Sequence, residues 1–258
     1  MVSDNVGIPK YAKGLLKLIL SKVPEHKYEW DDSIPPNTEG RIVRMVEDGE
    51  IDIVWYASTI EFEERMRPIR VCLFKGLLGY RVLMIKKGTQ HKFDGIKTIE
   101  DLRRVSLGQG TMWADTNVLV ANDLNVVKAM KYEGLFFMLD GDRFDGFPRG
   151  IHEPWGEIAS RPALALDVEQ TLLLSYPNVY YFFVNKDNKE LAEALEKGFR
   201  IALEDGSFDE YLLNDPDIKA ALPKANLKDR IIIPLKNPSL PPKTPLDDKT
   251  LWFDPYNY

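Results

Sequence analysis

Two short runs of β-branched and aromatic residues, Val82 to Ile85 and Val179 to Val184, flank a stretch that carries its own alternation of strands and helices. Each run ends in a polar turn, KKG after the first and NKDN after the second, so both read as strands. An α/β body bracketed by two strands is an insertion: the chain leaves one compact lobe, builds another and returns. This predicts lobe 1 from residues 1–84 and 182–258, with a Pro-rich C-terminal tail, and lobe 2 from residues 85–181. With 258 residues the chain is long enough for two such lobes.

The rest of the chain supplies the layers. Leu15, Leu16, Leu18, Ile19 and Val23 fall on helical spacing between Lys10 and Val23, and Pro24 ends that helix. A short strand is expected from His26 to Trp30. A helix over Arg41 to Asp48 stops at Gly49 before the apolar run Ile51 to Trp55, giving helix, turn and strand. Inside the insertion Thr98 and Asp101 form a capping box for a short helix. There follow a strand at Val105 to Leu107, the turn GQGT, helices near Asp115 to Asn122 and Gly134 to Asp140, and a strand at Phe144 to Phe147. A long amphipathic helix from Lys189 to Leu203 closes the pattern, stopped by Asp205-Gly206, with a short helix after Ser207. Five prolines between Asn237 and Tyr258 exclude regular structure there, and the Leu, Trp and Phe residues of that tail suit it to lie along the body. The fold class is therefore α/β, with mostly parallel sheets and helices on both faces.

Composition removes several functions. The chain has 40 acidic against 34 basic residues with no basic block, which argues against nucleic acid as a partner. The single cysteine, Cys72, lies in the apolar run VCLF and reads as a buried filler, with no disulfide or cysteine zinc site open to it. No ligand cluster for a metal stands out, and no cofactor is expected. No stretch reaches the ~18 apolar residues needed to span a bilayer, and the amino terminus lacks a signal-peptide pattern. There are only three histidines and no HExxH, GxSxG or cysteine-histidine frame.

Three places could bind a ligand. The turn Gly108-Gln109-Gly110-Thr111 lies between a strand and a helix, so the amides of Thr111, Met112 and Trp113 could converge on an anion at the positive helix end. The same residues also read as a plain tight turn. Tyr56, Ser58 and Thr59 follow the strand Ile51 to Trp55, at the carboxyl end where open α/β sheets bind ligands. Arg65, close behind, has a fork suited to a carboxylate, though it could equally pair with Glu61 or Glu64. Arg149 and Glu153 follow another strand end between Phe147 and Trp155. His152-Glu153 could do acid-base work, and an adjacent pair in a loop is also a common solvated feature.

The pieces YASTIEFEER with RPI, GYRVLMIKKG, IEDLRRVSLGQGT and LDGDRFDGF, in this order, resemble the bacterial extracellular solute-binding proteins of family three, the amino-acid ABC transporter type. The resemblance runs from about Gly7 to Tyr211, and LALEDGSFDEYL resembles the close of the first lobe. It implies the type II periplasmic binding fold, with crossings at Tyr80 to Lys87 and Val179 to Lys186 and a solute held between lobes. It further implies a membrane permease or receptor as partner, a periplasmic or extracellular location, a monomer and no enzymatic activity. By the same resemblance Tyr56 and Thr59 match first-lobe polar contacts, Arg65 the carboxylate-binding arginine, and Thr111 and Met112 the anion-binding turn.

Departures from the family pattern shape the expected ligand. Arg65 comes one position late. Gly150 stands where the family's amino-acid binders carry an ammonium-holding aspartate, with Arg149 just before it, so the expected solute is a carboxylate-bearing or otherwise anionic small molecule. The family's first strand should precede Gly7, and the tail past Arg230 resembles a divergent branch. Two alternatives stand beside transport: a dehydratase-like enzyme using Glu153, His152 or Asp115, and a sensor whose tail residues Trp252, Phe253 and Tyr256 form a docking surface.

Overall fold

The computed structural model describes residues 7–25, 27–29, 39–111 and 113–257, which include no regular structure at 27–29. The expected strand from His26 to Trp30 has both its ends outside the described residues. The chain divides into two compact units. Unit 1 is built from Met1–Lys75, Val179–Asp215 and Leu240–Phe253, and unit 2 from Gly76–Asn178, Pro216–Ser239 and Asp254–Tyr258.

Among the described residues, unit 1 centres on three strands. β1 (Ile53–Ala57) and β2 (Arg67–Ile69) both pair antiparallel with a strand between them, β9 (Tyr180–Val184). That central strand, YYFFV, is buried from Tyr181 onward, as its aromatic and β-branched composition requires. Helix α1 (Gly7–Ser21) packs against α8 (Lys189–Glu204), whose apolar residues Ala192, Leu195, Phe199 and Ala202 are buried at helical spacing. The two helices approach closely at Gly198, where a Cβ would lie 2.4 Å from the Ile19 carbonyl oxygen. Helix α2 (Glu39–Glu47) delivers Val43 and Val46 to a cluster with Tyr181 and Phe183, on which Leu240 and Trp252 of the tail also pack. The short helix α3 (Ile60–Arg65) is capped by the Thr59 side chain, and α9 (Ser207–Asn214) follows the stop at Gly206.

Among the described residues, unit 2 holds seven strands. β3 (Tyr80–Lys86), β4 (Ser106–Gly110), β5 (Asn125–Ala129), β6 (Gly146–Gly150), β8 (Leu172–Ser175) and β10 (Ile231–Pro234) form a sheet in the order β10-β8-β3-β6-β4-β5, and β7 (Leu166–Val168) also pairs with β3. The pairs β4–β5, β4–β6 and β8–β10 are parallel, and the partners of β3 run antiparallel to it. Strand alternation separates two cores. Leu83 and Ile85 join Val118 and Leu119 of α5 (Ala114–Ala121) on one face, and Met84 joins Leu135, Phe136 and Leu139 of α6 (Tyr132–Asp140) on the other. Helix α4 (Ile99–Leu102) carries the capping box at Thr98 and Asp101; α7 (Pro154–Ala159) and α10 (Pro216–Ala225) complete the unit.

This division differs from the one expected. β3 lies wholly in unit 2 and β9 wholly in unit 1, because hydrogen-bond register ties each strand to one sheet. The segment Pro216–Ser239 belongs to unit 2, since β10 extends its sheet beside β8. A buried ion pair fixes that attachment. Glu169 and Arg230 are 0% and 4% exposed; Arg230 donates through Nε to the Ala225 carbonyl at 2.6 Å and through Nη1 to the carbonyls of Glu169 at 2.6 Å and Leu172 at 2.9 Å.

Candidate functional site

The expected turn Gly108-Gln109-Gly110 is strand. Gly108, Gln109 and Gly110 complete β4, and its glycines answer to close packing rather than to turning. A Cβ at Gly108 would fall 2.1 Å from the Phe144 ring, and one at Gly110 2.5 Å from the indole of Trp113. The Thr111 amide, expected to face an anion, donates to the Ala129 carbonyl at 2.9 Å and continues the β4–β5 ladder. Met112 lies outside the described residues. Trp113 caps the strand end, stacked on Phe147 at 6.1 Å between ring centroids.

Parallel β4, β5 and β6 bring their carboxyl ends to one edge of the unit 2 sheet, and antiparallel β3 begins there. Arg149 on β6 is 7% exposed and occupies an aromatic box, its guanidinium 5.5 Å from the Trp113 ring centroid, 5.6 Å from Tyr132 and 5.0 Å from Phe147. It donates through Nη2 to Glu153 Oε1 at 2.8 Å and through Nε to Glu157 Oε2 at 2.9 Å. Glu157 also accepts from the Tyr132 hydroxyl. Glu153 reaches to the other side of the strand, where its Oε2 accepts from the Gly150 amide at 2.6 Å and faces Arg81 Nη1 at 3.5 Å. Arg81 in turn pairs with Asp115 of α5 at 2.8 Å and donates to the Tyr176 hydroxyl at 3.0 Å. Five charged side chains thus form one chain at the sheet edge, the two arginines buried and the three carboxylates half-buried, of which Arg149, Glu153 and Asp115 were named from sequence.

The electrostatics follow from this packing. Burial by itself would disfavour the Arg149 charge, but Glu153 and Glu157 outweigh it and hold the proton more firmly than usual. Burial by itself would protonate Glu153, and Arg149, His152 and Arg81 together with the Gly150 amide bring it below the ordinary carboxylate range. His152 is held neutral by burial, and its Nδ1 has no hydrogen-bond partner among the described residues. Gln109, 1% exposed, likewise has a buried Oε1 without a partner among the described residues. Neither orphan was legible in the sequence, because each arises from what the fold packs above it.

In unit 1 the carboxyl end of β1 carries Tyr56, Ser58 and Thr59. Thr59 spends its hydroxyl on the Phe62 amide as a helix cap, at 3.2 Å. Tyr56 leans on Phe62, ring centroids 5.3 Å apart. Arg65 is engaged at two points by Glu47 of α2, through Nε at 2.9 Å and Nη2 at 2.7 Å, with Glu61 at 3.5 Å from Nη1. The alternative of pairing with Glu61 is present; Glu47 was not foreseen. Among the described residues no group of three or more potential metal ligands is found, and no helix is long and apolar enough to cross a membrane.

No protein-family model matches the chain, and no curated protein matches it. Solved structures do. The probable amino-acid ABC transporter extracellular-binding protein YtmK of Bacillus subtilis aligns with a TM-score of 0.58 at 15% identity, over 81% of this chain and 88% of that one. The amino-acid ABC transporter substrate-binding protein AbpA of Streptococcus pneumoniae, solved with L-arginine, gives 0.53 at 18% identity over 82% and 84%. Substrate-binding domain 2 of Lactococcus lactis GlnP, in an open conformation, gives 0.53 at 17% identity over 78% and 83%. With its inserted unit, its two sheets and these likenesses, the chain has the type II periplasmic binding fold found in amino-acid ABC transporter substrate-binding proteins.

Proposed function

We propose that this protein is a non-catalytic solute-binding protein whose small ligand presents a carboxylate to Arg149 at the carboxyl edge of the unit 2 sheet. The observation that carries the reading is the state of that guanidinium. Nε and Nη2 are fixed by Glu157 and Glu153, aromatic rings wall it in, and Nη1 makes no hydrogen bond to a described residue. A guanidinium held on one side with an edge unspent is preorganised for an anion. Trp113 would stack on the solute. Arg65 has its charge met by Glu47, which argues against a ligand role.

Charge balance narrows the solute. Asp115, Glu153 and Glu157 face Arg81 and Arg149, so three carboxylates meet two guanidiniums. A polyanion fits such an edge poorly, and a zwitterion, whose cation meets the surplus carboxylate, fits it best. This narrows the expected carboxylate-bearing or otherwise anionic solute to one of low net charge. Solved neighbours of the same fold hold arginine or glutamine, which agrees with a zwitterion. Glu153, held ionised by its neighbours, is unsuited to act as a general acid at neutral pH. Delivery of the solute to a membrane permease, from outside the cytoplasm, completes the proposal by analogy of fold.

A thermal-shift screen with amino acids, simple monocarboxylates and dicarboxylates tests it, because a ligand of the native state raises apparent stability by mass action. Zwitterions or monocarboxylates should raise the Tm, and Arg149→Lys should weaken the calorimetric affinity of the best hit about tenfold or more. A screen in which only polyanions stabilise, or a hit indifferent to Arg149→Lys, would overturn the assignment.

A further inference from the structure

The carboxyl edge of the unit 2 sheet carries an apolar rim beside the Arg149 guanidinium. Met130, directly after β5, is 80% exposed, the most open large apolar side chain among the described residues. Tyr132, two residues on at the start of α6, is 36% exposed, and its ring centroid lies 6.0 Å from that of the half-buried Trp113. The indole is braced by Phe147, stacked on it, and by Gly110, whose missing side chain gives it room. Two of these open residues, Trp113 and Tyr132, also wall in Arg149, so the rim is continuous with the site.

The charges along this rim are already engaged. Glu157 accepts from Arg149 and from the Tyr132 hydroxyl. Both oxygens of Glu153 are met, by Arg149, the Gly150 amide and Arg81. Glu133, next to Tyr132, accepts from Arg161 Nε at 3.1 Å, and that guanidinium lies 3.7 Å from the Phe136 ring centroid. The single surplus carboxylate of the edge balances one cation on the solute, and a second cation would find no partner. A neutral flat group fits the remaining surface, since it covers two braced rings and a flexible thioether that packs well against an aromatic edge.

We propose that the solute of this edge is a zwitterion with a neutral aromatic side group, whose ring lies against Trp113, Tyr132 and Met130. This rests on the reading of Arg149 as the carboxylate partner and adds what the rest of the solute must be. Calorimetry of the full chain with L-phenylalanine, L-alanine and L-arginine tests it, because the three share one zwitterionic head. L-phenylalanine should bind about thirtyfold more tightly than either of the others. The ratio of phenylalanine to alanine affinity should fall about tenfold in Trp113→Leu and about threefold in Met130→Ser. Met130 is open to solvent, so its replacement tests the contact without disturbing the core. If all three amino acids bind equally, and each loses affinity in Arg149→Lys, the aromatic preference is overturned while the Arg149 reading stands. A ratio unchanged in both rim variants likewise overturns the preference alone. If none of the three binds, or binding is indifferent to Arg149→Lys, both fail together.

Discussion

Glu153 and Arg149 are joined at 2.8 Å through Oε1, while Oε2 of the same carboxylate takes the Gly150 amide at 2.6 Å and faces Arg81. One side chain therefore holds guanidiniums that strand alternation places on opposite faces of the sheet. Replacing it by Glu153→Gln keeps the shape and removes the charge. The expected loss is about 3 kcal/mol, near the low end for a broken buried pair because Glu157 still holds Arg149. Urea unfolding at pH 7 measures it.

The same residue sets an acid limit. Its folded pKa lies below the ordinary carboxylate value, so its stabilising effect is complete above the unfolded pKa of about 4.3 and is lost as pH falls through the lower folded value. The stability gap between wild type and Glu153→Gln should stay level from pH 7 to 5 and narrow below about pH 4. A gap that instead widened on acidification would contradict the pairing.

Gly110→Ala sets a methyl group against the Trp113 indole, at 2.5 Å before relaxation. Overpacking of this kind costs about 1 to 3 kcal/mol. It should also displace Trp113 from Phe147 and change its fluorescence. Gly156→Ala in α7, where a Cβ meets nothing within 4 Å, is the control and should be neutral or stabilising. Equal behaviour of the two variants in unfolding and emission would deny the close approach.

What the sequence disclosed and what it concealed divide along contact distance. The Thr98 capping box and the buried stripe of α8 depend on residues three or four apart, and both were readable. β7 has three residues, β8 is the leucine run LLLS and β5 is the half-exposed NVVKA, so none offers the alternation that marks a strand. GQGT misled because two glycines suggest a turn, whereas these two make room for aromatic rings. At the candidate site Arg149 and Glu153 are four residues apart and were seen. Tyr132 and Arg81 reach them only through the sheet, as Glu169 reaches Arg230 across 61 residues.

That distant pair anchors β10. Arg230→Met removes the countercharge of a carboxylate that is 0% exposed, which keeps its bonds from Gln90, Thr171 and Leu172, and it releases three backbone carbonyls, so a loss of about 3 kcal/mol is expected. Hydrogen exchange should show faster loss of protection at Ile231 to Ile233 than at Leu83 to Ile85 of the central strand. Uniform loss across both strands would mean that the pair supports the whole unit rather than the attachment of one strand.

The Pro-rich tail gives the last test, since proline denies it regular structure and its anchoring must come from side chains. Leu251 and Phe253 are each 8% exposed, the Phe253 amide donates to the Lys75 carbonyl at 2.6 Å, and the Trp252 indole donates to the Pro245 carbonyl at 2.9 Å. Removing one such apolar side chain from a nearly closed position costs about 2 to 4 kcal/mol. Phe253→Ala should lower the urea midpoint of the full chain by that amount, whereas Leu246→Ala, at a residue 49% exposed, should leave it within about 0.5 kcal/mol. If the two substitutions proved equally harmless, the tail would be a passenger on unit 1.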